Sequence, residues 1–380
     1  MAGTSHVETR LRILCVTPVG PAGMGGIDRL YYYMRQHLAE AGSDTGIDWS
    51  YFAARGPSAG WKSLLTFPFR LIVFIWLMIT GGYDVVHVNH STDGSALRKW
   101  ALVSLAKLFG KRVSTHFHGL IEDRVHAANP LWLSAFRSMC RQSDGIVILG
   151  DFFTGEFRDK LGIDPAKLTI IHNGIPDFAA DLAVPKPVEG KRLILFAGEV
   201  GPRKGAGLLL EALAILRQRA SGWTCVMAGN GDLPEYRSMA AMLGLADKVR
   251  FTGWIDADAL HGLMREAAIV VLPSRVEALP LSLIEGACAG AALVSSKAGA
   301  SADVTVDGRN GIIVPLESEA IANALAGVLG APEELARMQV ESRALFVERF
   351  RIALFERALS RHLMALAKRP ATASAPAGAV

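Results

Sequence analysis

Cysteine is scarce in this 380-residue chain, and its four cysteines are widely separated. They form no C-x-x-C pair and have no histidine at the spacing of a zinc site; they are Cys15, Cys140, Cys225 and Cys288. This pattern argues against a disulfide framework and against a structural zinc site. It favours a reducing compartment, and we expect the protein in the cytoplasm.

Long uncharged apolar runs are absent as well. The most apolar stretch, residues 64–79, contains Pro68 and Arg70 and is shorter than the ~20 residues that a spanning helix needs. Residues 1–18 lack the apolar core and the small-residue cleavage site of a signal peptide. We therefore expect neither a transmembrane helix nor a signal peptide.

Neither sign of charge predominates. Lysine and arginine total 40 against 36 acidic residues, a formal net charge of +4. The two halves of the chain share these charges almost evenly, which argues against a nucleic-acid-binding face. With 51% hydrophobic and 20% charged residues, the composition is that of a globular chain of two or three domains.

The sequence does contain a regular alternation of short apolar runs and helical patterns. Strands are predicted over 11–19, 83–89, 112–119, 144–150 and 168–174, and, after a proline- and alanine-rich segment, over 191–198, 223–231, 248–253, 268–273, 291–296 and 310–315. This rhythm predicts an α/β fold of two tandem Rossmann-like, doubly wound domains. Ligands of such sheets bind at the carboxyl ends of the strands.

The same pattern predicts the domain boundaries. We expect an N-terminal domain over 1–176, a linker over 177–190 and a second domain over 191–345. A long final helix, from about Glu333 to Ala367, includes a C-terminal segment over 346–367. Residues 368–380 are poor in large apolar side chains, which predicts a disordered tail.

The segment LPSRVEALPLSLIEGACAG, residues 272–290, carries the strongest functional signal. A strand ends, a loop carries Glu277, and a helix that opens after Pro280 carries Glu285. The first amides of that helix, at Leu281, Ser282 and Leu283, are predicted to be free and to form an anion site. Two carboxylates beside an anion site suit sugar hydroxyls; the alternative is a dipole-stabilising helix glutamate and an exposed loop acid.

A second signal is the turn FAGEVGPRKG, residues 196–205. Arg203 and Lys204 follow a strand there, and two cations at a strand end can clamp a diphosphate. A solvated basic turn is the alternative.

Two glycine turns and a histidine complete the candidates. Gly25 and Gly26 follow the first strand, and Gly229 follows another, but Asp28 and Pro234 stand where a dinucleotide fingerprint needs its third glycine. Tight structural turns are the alternative, favoured for Gly229. His118 ends a strand on the same face as His116, which makes it a candidate catalytic group or a structural hydrogen-bonder; these residues are in STHFHGL.

Taken together, these motifs resemble glycosyltransferase family 4, the retaining enzymes of the GT-B fold, over roughly residues 11 to 365. The E-x7-E pair at 277 and 285, the R-K-G at 203–205, the early Gly-Gly turn, HNGI at 172–175 and VRFTGWI at 249–255 occur in the family's order. The resemblance implies an active site in the cleft between the two domains. It also implies a final helix that crosses back onto the first domain.

The resemblance also implies roles for individual residues. Glu285 would hold the ribose hydroxyls and Glu277 would lie by the donor hexose. Arg203 and Lys204 would neutralise the leaving diphosphate, and His118 would contact the donor sugar. Further substrate-binding positions are Gly25, Gly26, Asn173, Gly229, Leu281 and Ser282. One departure is Glu199, which stands where the family commonly has arginine.

The function implied is retaining transfer of a hexose from a UDP-, GDP- or ADP-sugar to a lipid-linked or other cell-envelope glycan acceptor, without a metal or other cofactor. The partners implied are the nucleotide-sugar donor, a glycan or polyprenyl-linked acceptor and the inner face of the cytoplasmic membrane, with no nucleic acid. A sugar-nucleotide-binding protein or an epimerase on the same fold is the alternative. Apolar residues 64–79 and the basic residues of 95–112 are the predicted membrane contacts; those basic residues are Arg98, Lys99, Lys107, Lys111 and Arg112.

Overall fold

The chain forms two compact units, each with its own parallel sheet. The computed structural model describes residues 10–20, 26–41, 45–55, 62–91, 96–121, 130–186 and 192–368. Gly25 lies outside the described residues, and so does the predicted tail apart from Lys368.

The first unit consists of Met1–Ile148, Phe157–Ile171 and Glu356–Val380. Its described strands are β1 (Leu11–Thr17), β2 (Ile47–Ala53), β3 (Val85–His90), β4 (Arg112–Phe117), β5 (Gly145–Ile148) and β6 (Leu168–Ile170). They pair in parallel in the order β2-β1-β3-β4-β5-β6. The sequence pattern did not predict β2, because this edge strand is only partly buried and its apolar residues are interrupted by polar ones.

Helices flank this sheet. They are α1 (Gly26–Ala41), α2 (Lys62–Thr80), α3 (Ala96–Leu108), α4 (Pro130–Gln142) and the greater part of the last helix of the chain. Among the helices of the described residues, none combines the length and the apolar character needed to cross a membrane.

The second unit consists of Leu149–Glu156 and His172–Phe355. Its described strands are β7 (Arg192–Ala197), β8 (Trp223–Ala228), β9 (Val249–Gly253), β10 (Ala267–Leu272), β11 (Ala292–Ser296) and β12 (Gly311–Val314), in the order β12-β11-β10-β7-β8-β9. Its helices are α5 (Phe152–Gly155), α6 (Ala206–Arg219), α7 (Leu233–Met242), α8 (Ala257–Glu266), α9 (Leu281–Cys288), α10 (Ser318–Gly330) and α11 (Pro332–Arg349). Every residue of β10 is buried, as expected for a parallel strand covered on both faces.

The predicted single helix from Glu333 to Ala367 is wrong, because the structure has two helices there. The first, α11, ends at Arg349, and α12 (Ile352–Lys368) follows after a break. The Ile175 amide donates to the Phe350 carbonyl at 2.9 Å, and the Ile352 amide donates to the Ile175 carbonyl at 2.9 Å. These backbone groups are therefore not available to a continuous helix. From Glu356 onward α12 belongs to the first unit.

The described part of the predicted linker packs on the second unit. Asp177 forms an ion pair with Arg343 at 2.7 Å, and the Phe178 ring stacks on His261 with centroids 3.9 Å apart. Lys186 Nζ donates to the Met264 carbonyl at 3.0 Å. These three contacts hold the segment against the second unit, whereas its composition had suggested only a linker.

The predicted basic face of residues 95–112 is also wrong in part. Lys107 and Arg112 both form ion pairs with Asp144, at 2.9 and 3.1 Å. Lys99 is buried. Of the five basic residues, Lys107 and Arg112 are therefore paired within the first unit, and Lys99 is not exposed to a membrane surface.

Candidate active site

The turn after β7 approaches the end of β10 in the second unit. A short 3₁₀ turn, Pro202–Lys204, leads to Gly205 at φ 74°. A Cβ on Gly205 would lie 2.1 Å from the Pro273 carbonyl oxygen. Only glycine fits this contact, which brings the basic turn against the loop between β10 and α9.

Lys204 and Glu277 meet at this approach. Lys204 Nζ donates to Glu277 Oε1, and their side chains are only 13% and 7% exposed. The Arg275 amide donates to the Arg203 carbonyl at 2.9 Å, which ties the two loops together. The low exposure of Glu277 rules out the alternative of an exposed loop acid. The sequence placed these two residues at one site without indicating that they form a pair.

Arg203 has different surroundings. Its guanidinium forms an ion pair with Glu199 at 3.1 Å, and its side chain is 51% exposed. Glu199, which stands where the family has arginine, is thus the partner of Arg203. The two neighbours in this turn present one largely exposed cation and one largely buried cation.

The N-terminus of α9 follows directly. The Leu283 amide donates to the Pro280 carbonyl at 3.1 Å, so this amide is not free as the sequence had suggested. Leu281 and Ser282 provide the amides before the first hydrogen bond of the helix. Glu285 lies one turn further on and is buried.

Two polar atoms of the second unit, besides the groups described above, are buried without a hydrogen-bond partner among the described residues. Ser274 Oγ follows β10, and Asn173 Oδ1 lies in the HNGI segment. Sequence reasoning named Asn173 but missed Ser274, whose only signal was its place between β10 and Glu277. Orphaned buried polar atoms are rare in folded proteins, so both are candidates for contact with a ligand.

Packing by itself explains Gly229. A Cβ there would lie 1.9 Å from the Gly198 carbonyl oxygen, and φ is 148°. The structural turn accounts for this glycine, and its contact with a substrate stays a prediction.

The first unit carries His118 directly after β4. His118 Nε2 lies 2.9 Å from Asn89 Oδ1, while Asn89 Nδ2 donates to the Val16 carbonyl at 3.1 Å. Asn89 Oδ1 is therefore an acceptor, so Nε2 carries the proton and Nδ1 accepts. The His116 ring lies on the same face with its centroid 3.8 Å from that of His118, as alternation predicted.

Asp28 stabilises the turn after β1. In the sequence its only signal was that it stands where a dinucleotide fingerprint needs a glycine. Asp28 Oδ1 accepts from the Val19 amide at 3.1 Å and from the Gly20 amide at 2.9 Å. Gly26 is exposed at the first position of α1. Asp28 thus fixes the described part of this turn.

The first unit also holds a set of histidines with lowered pKa values. Burial and, second, the charge of Lys99 lower the pKa of His90 to about 3, and burial and the Lys99 charge do the same for His118. Burial also places the pKa of His87 and of His116 well below the usual value. All four rings are therefore neutral near pH 7.

We expect acid to destabilise the first unit. An unfolded histidine titrates near pH 6.5, so unfolding near pH 5 should take up about four protons. The stability that depends on these neutral histidines is fully present above about pH 6.5 and declines as the pH falls towards 3. Calorimetry near pH 5 and pH 8, in buffers of different ionisation enthalpy, measures the uptake. Uptake below about one proton near pH 5 would contradict the buried neutral state.

No group of three or more His, Cys, Asp or Glu side chains that could hold a metal ion occurs in the part of the chain that the structure describes. Independence of metal stays a prediction.

The two parallel six-stranded sheets with flanking helices define a protein of the GT-B class. HepE from Anabaena, solved in complex with UDP and glucose, matches with a TM-score of 0.72 and 18% identity, over 94% of this chain and 100% of that chain. This likeness confirms the predicted fold class.

The chain belongs to the glycosyltransferases. Residues 24–177 match the model of Glycosyltransferase Family 4, and residues 177–344 match the model of Glycosyl transferases group 1. The resemblance to this family is thereby confirmed.

Two curated relatives show how far the similarity extends. The chain is 29% identical to glycogen synthase of Mycobacterium tuberculosis over 56% of this chain and 50% of that protein. It is 32% identical to phosphatidyl-myo-inositol mannosyltransferase of Mycolicibacterium smegmatis over 66% of this chain and 63% of that protein. The chain thus matches about half the length of the first and less than two thirds of the second.

Proposed function

We propose that this protein transfers a hexose from a nucleoside-diphosphate sugar to a lipid-linked or other cell-envelope glycan acceptor, with retention of configuration and without a metal. The observation that carries the proposal is the buried Lys204–Glu277 pair beside the first amides of α9. A cation and free amides at strand ends suit a diphosphate, and carboxylates suit sugar hydroxyls. Relatives that are named synthases and mannosyltransferases support the same class of reaction.

The chemistry follows from where charge develops. As the bond between the sugar and the diphosphate breaks, negative charge grows on the leaving diphosphate. Lys204 stabilises that charge, and the amides of Leu281 and Ser282 add to it. Glu277 holds the Lys204 ammonium in place, and it accepts a hydrogen bond from a hydroxyl of the donor hexose.

Glu285 and His118 position the substrate in this scheme. Glu285 holds the ribose hydroxyls of the nucleotide. His118, as a neutral ring with Nδ1 as acceptor, accepts a hydrogen bond from a sugar hydroxyl. The acceptor hydroxyl attacks from the face that the diphosphate leaves, and the diphosphate takes its proton, which gives retention. No further group is needed for proton balance.

Calorimetric titration with UDP, GDP and ADP tests the donor site. We expect one of them to bind to the wild type and to bind about tenfold more weakly to Glu285→Gln, because a hydrogen bond to a charged group contributes about 1.5–3 kcal/mol. Absence of binding by all three nucleotides would overturn the proposal. Binding without transfer or hydrolysis of any matching sugar nucleotide would favour a sugar-nucleotide-binding protein, and conversion of the sugar within the donor would favour an epimerase.

We also propose that the protein works at the cytoplasmic face of the membrane, and that α2 is the contact. One face of α2 exposes five large apolar side chains, each 60–70% exposed; they are Leu65, Phe69, Ile72, Trp76 and Ile79. Their spacing of three and four residues forms one continuous stripe about 20 Å long. Arg70 points away from it, because its Nη1 donates to the Ala53 carbonyl at 2.6 Å. An uncharged stripe with a tryptophan suits the interface of a bilayer.

We expect the wild type to sediment with anionic lipid vesicles and the triple variant Phe69→Ser, Ile72→Ser, Trp76→Ser to bind more than tenfold more weakly. Full burial of one large apolar side chain contributes about 1.5–3 kcal/mol, so loss of three partly inserted ones has an effect of this size. The control is Lys111→Gln, which removes a nearby charge and should weaken vesicle binding less. Equal binding by the triple variant, or a wild-type dimer that dissociates in the variant without vesicle binding, would contradict the membrane contact.

A further inference from the structure

Lys99 is a buried lysine that the proposed chemistry does not use. It lies on the inward face of α3 and is 3% exposed. Its Nζ has no hydrogen-bond partner among the described residues. An ammonium group in this state is costly, since buried charges are normally paired.

The neighbours of Lys99 do not neutralise it. Burial and then the positive charge of Arg98 lower the pKa of Lys99 to about 7. The negative charge of Asp28 raises the pKa of Lys99, but Asp28 Oδ1 already accepts hydrogen bonds from the amides of Val19 and Gly20. His90 is uncharged, and neither of its ring nitrogens has a partner among the described residues. Among the described residues, the surroundings of Lys99 thus contain polar groups but no counter-ion in contact with its Nζ.

Arg55 adds a third cation to the same edge of the sheet. Its Nε is buried without a partner in the described structure, and its charge acts on Arg98. The Arg55 amide donates to the Pro18 carbonyl at 2.8 Å, directly after β1, while α3 follows β3. Arg55, Arg98 and Lys99 therefore gather at the carboxyl ends of β1 to β3, where doubly wound sheets bind ligands.

We infer that Arg55, Arg98 and Lys99 form a binding site for a phosphate or diphosphate group of the acceptor substrate. The inference rests on the proposed function, which it deepens by naming the chemical class of the acceptor. A phosphate group supplies the missing negative charge and the acceptor atoms for the orphaned donors Lys99 Nζ and Arg55 Nε. The site lies in the same unit as the apolar stripe, and α2 packs against α3. A phosphate on a membrane lipid therefore fits, and so does a soluble sugar phosphate.

Titration of inorganic phosphate into protein saturated with UDP tests the site, because UDP occupies the diphosphate-binding groups of the second unit. We expect the wild type to bind phosphate, Lys99→Met to bind it at least tenfold more weakly, and Lys204→Met to bind it like the wild type. Phosphate binding by Lys99→Met equal to that of the wild type would overturn the inference. The UDP titration is a separate measurement, so a failure of the donor site is recognised independently.

Thermal stability separates a binding role from a structural one. In phosphate-free buffer we expect Lys99→Met to melt about 2–4 °C higher than the wild type, because an uncompensated buried charge is replaced by an apolar side chain of similar length. A lower melting temperature would overturn the inference, since it would assign Lys99 a role in holding the fold together.

Vesicles distinguish the two sources of phosphate. If the acceptor is a lipid, the wild type binds vesicles containing phosphatidic acid more tightly than pure phosphatidylcholine vesicles, and Lys99→Met loses this preference. If the acceptor is soluble, neither protein shows the preference, while the inorganic phosphate result stands. A preference that Lys99→Met retains in full, together with unchanged phosphate binding, would contradict the site.

Discussion

We expect Lys204→Met to lower the turnover number for sugar transfer by about 10²–10³, with a much smaller effect on the affinity for the nucleotide sugar. The Lys204 side chain is largely shielded from water and contacts Glu277 at the strand ends of the second unit. A cation in such a place stabilises negative charge strongly, because the local dielectric constant is low. Since the charge on the diphosphate grows as the sugar departs, the loss falls mainly on the turnover number.

Arg203→Met is the matched control for this prediction. Arg203 belongs to the same turn and carries the same charge, but it is half exposed and paired with Glu199. Exposed ion pairs contribute little, so we expect less than a tenfold loss. Steady-state kinetics with varied donor concentration measure both variants. A larger loss for Arg203→Met than for Lys204→Met would transfer the main role in stabilising the leaving group to Arg203.

We expect Glu277→Gln to lower the turnover number by at least about 10², without unfolding the protein. Glutamine keeps the size of the side chain and can still accept a hydrogen bond from Lys204. It removes the negative charge that holds the Lys204 ammonium in place and that, in the proposed function, accepts a hydrogen bond from the donor hexose. The Glu199→Gln variant, whose exposed carboxylate pairs with Arg203, should remain close to wild-type activity.

The double variant of Lys204 and Glu277 shows whether these residues act as one unit. If they do, Lys204→Met with Glu277→Gln is about as slow as the slower single variant, because each single change already disables the pair. Transfer assays on all four proteins, with melting temperatures as the check on folding, complete the cycle. Fully additive losses would show that the two groups act independently, which would contradict the proposed role of Glu277 in positioning Lys204.

Several features followed from the sequence because their causes are local. The fully buried run of β10 and the glycine turn after β7 show in the residues themselves, as does a helix that opens after Pro280. Apolar periodicity, backbone freedom at glycine and the missing amide of proline act within a few residues. They were enough to predict two parallel α/β units and to select the segments at their strand ends.

Other features could not be predicted from the sequence, because their causes are not local. The edge strand β2 is stabilised by its pairing with β1 rather than by its own apolar pattern. The break between α11 and α12 results from hydrogen bonds to Ile175, which is far away in the chain. Lys107 and Arg112, which were predicted to face a membrane, form ion pairs with Asp144 within the first unit.

The fold class, the family and the residue types at the strand ends could be predicted from the sequence, because these depend on patterns within short segments. Which of those residues meet depends on long-range packing, which the sequence pattern does not show. Lys204 and Glu277 are 73 positions apart and pair because a glycine lets one loop approach another. The same holds for Lys99, whose burial without a counter-ion depends on how α3 packs on its sheet. Long-range packing sets the exposure and the partner of each side chain. It thereby distinguishes the buried carboxylate of Glu277, which pairs with Lys204, from the exposed carboxylate of Glu199, which pairs with Arg203.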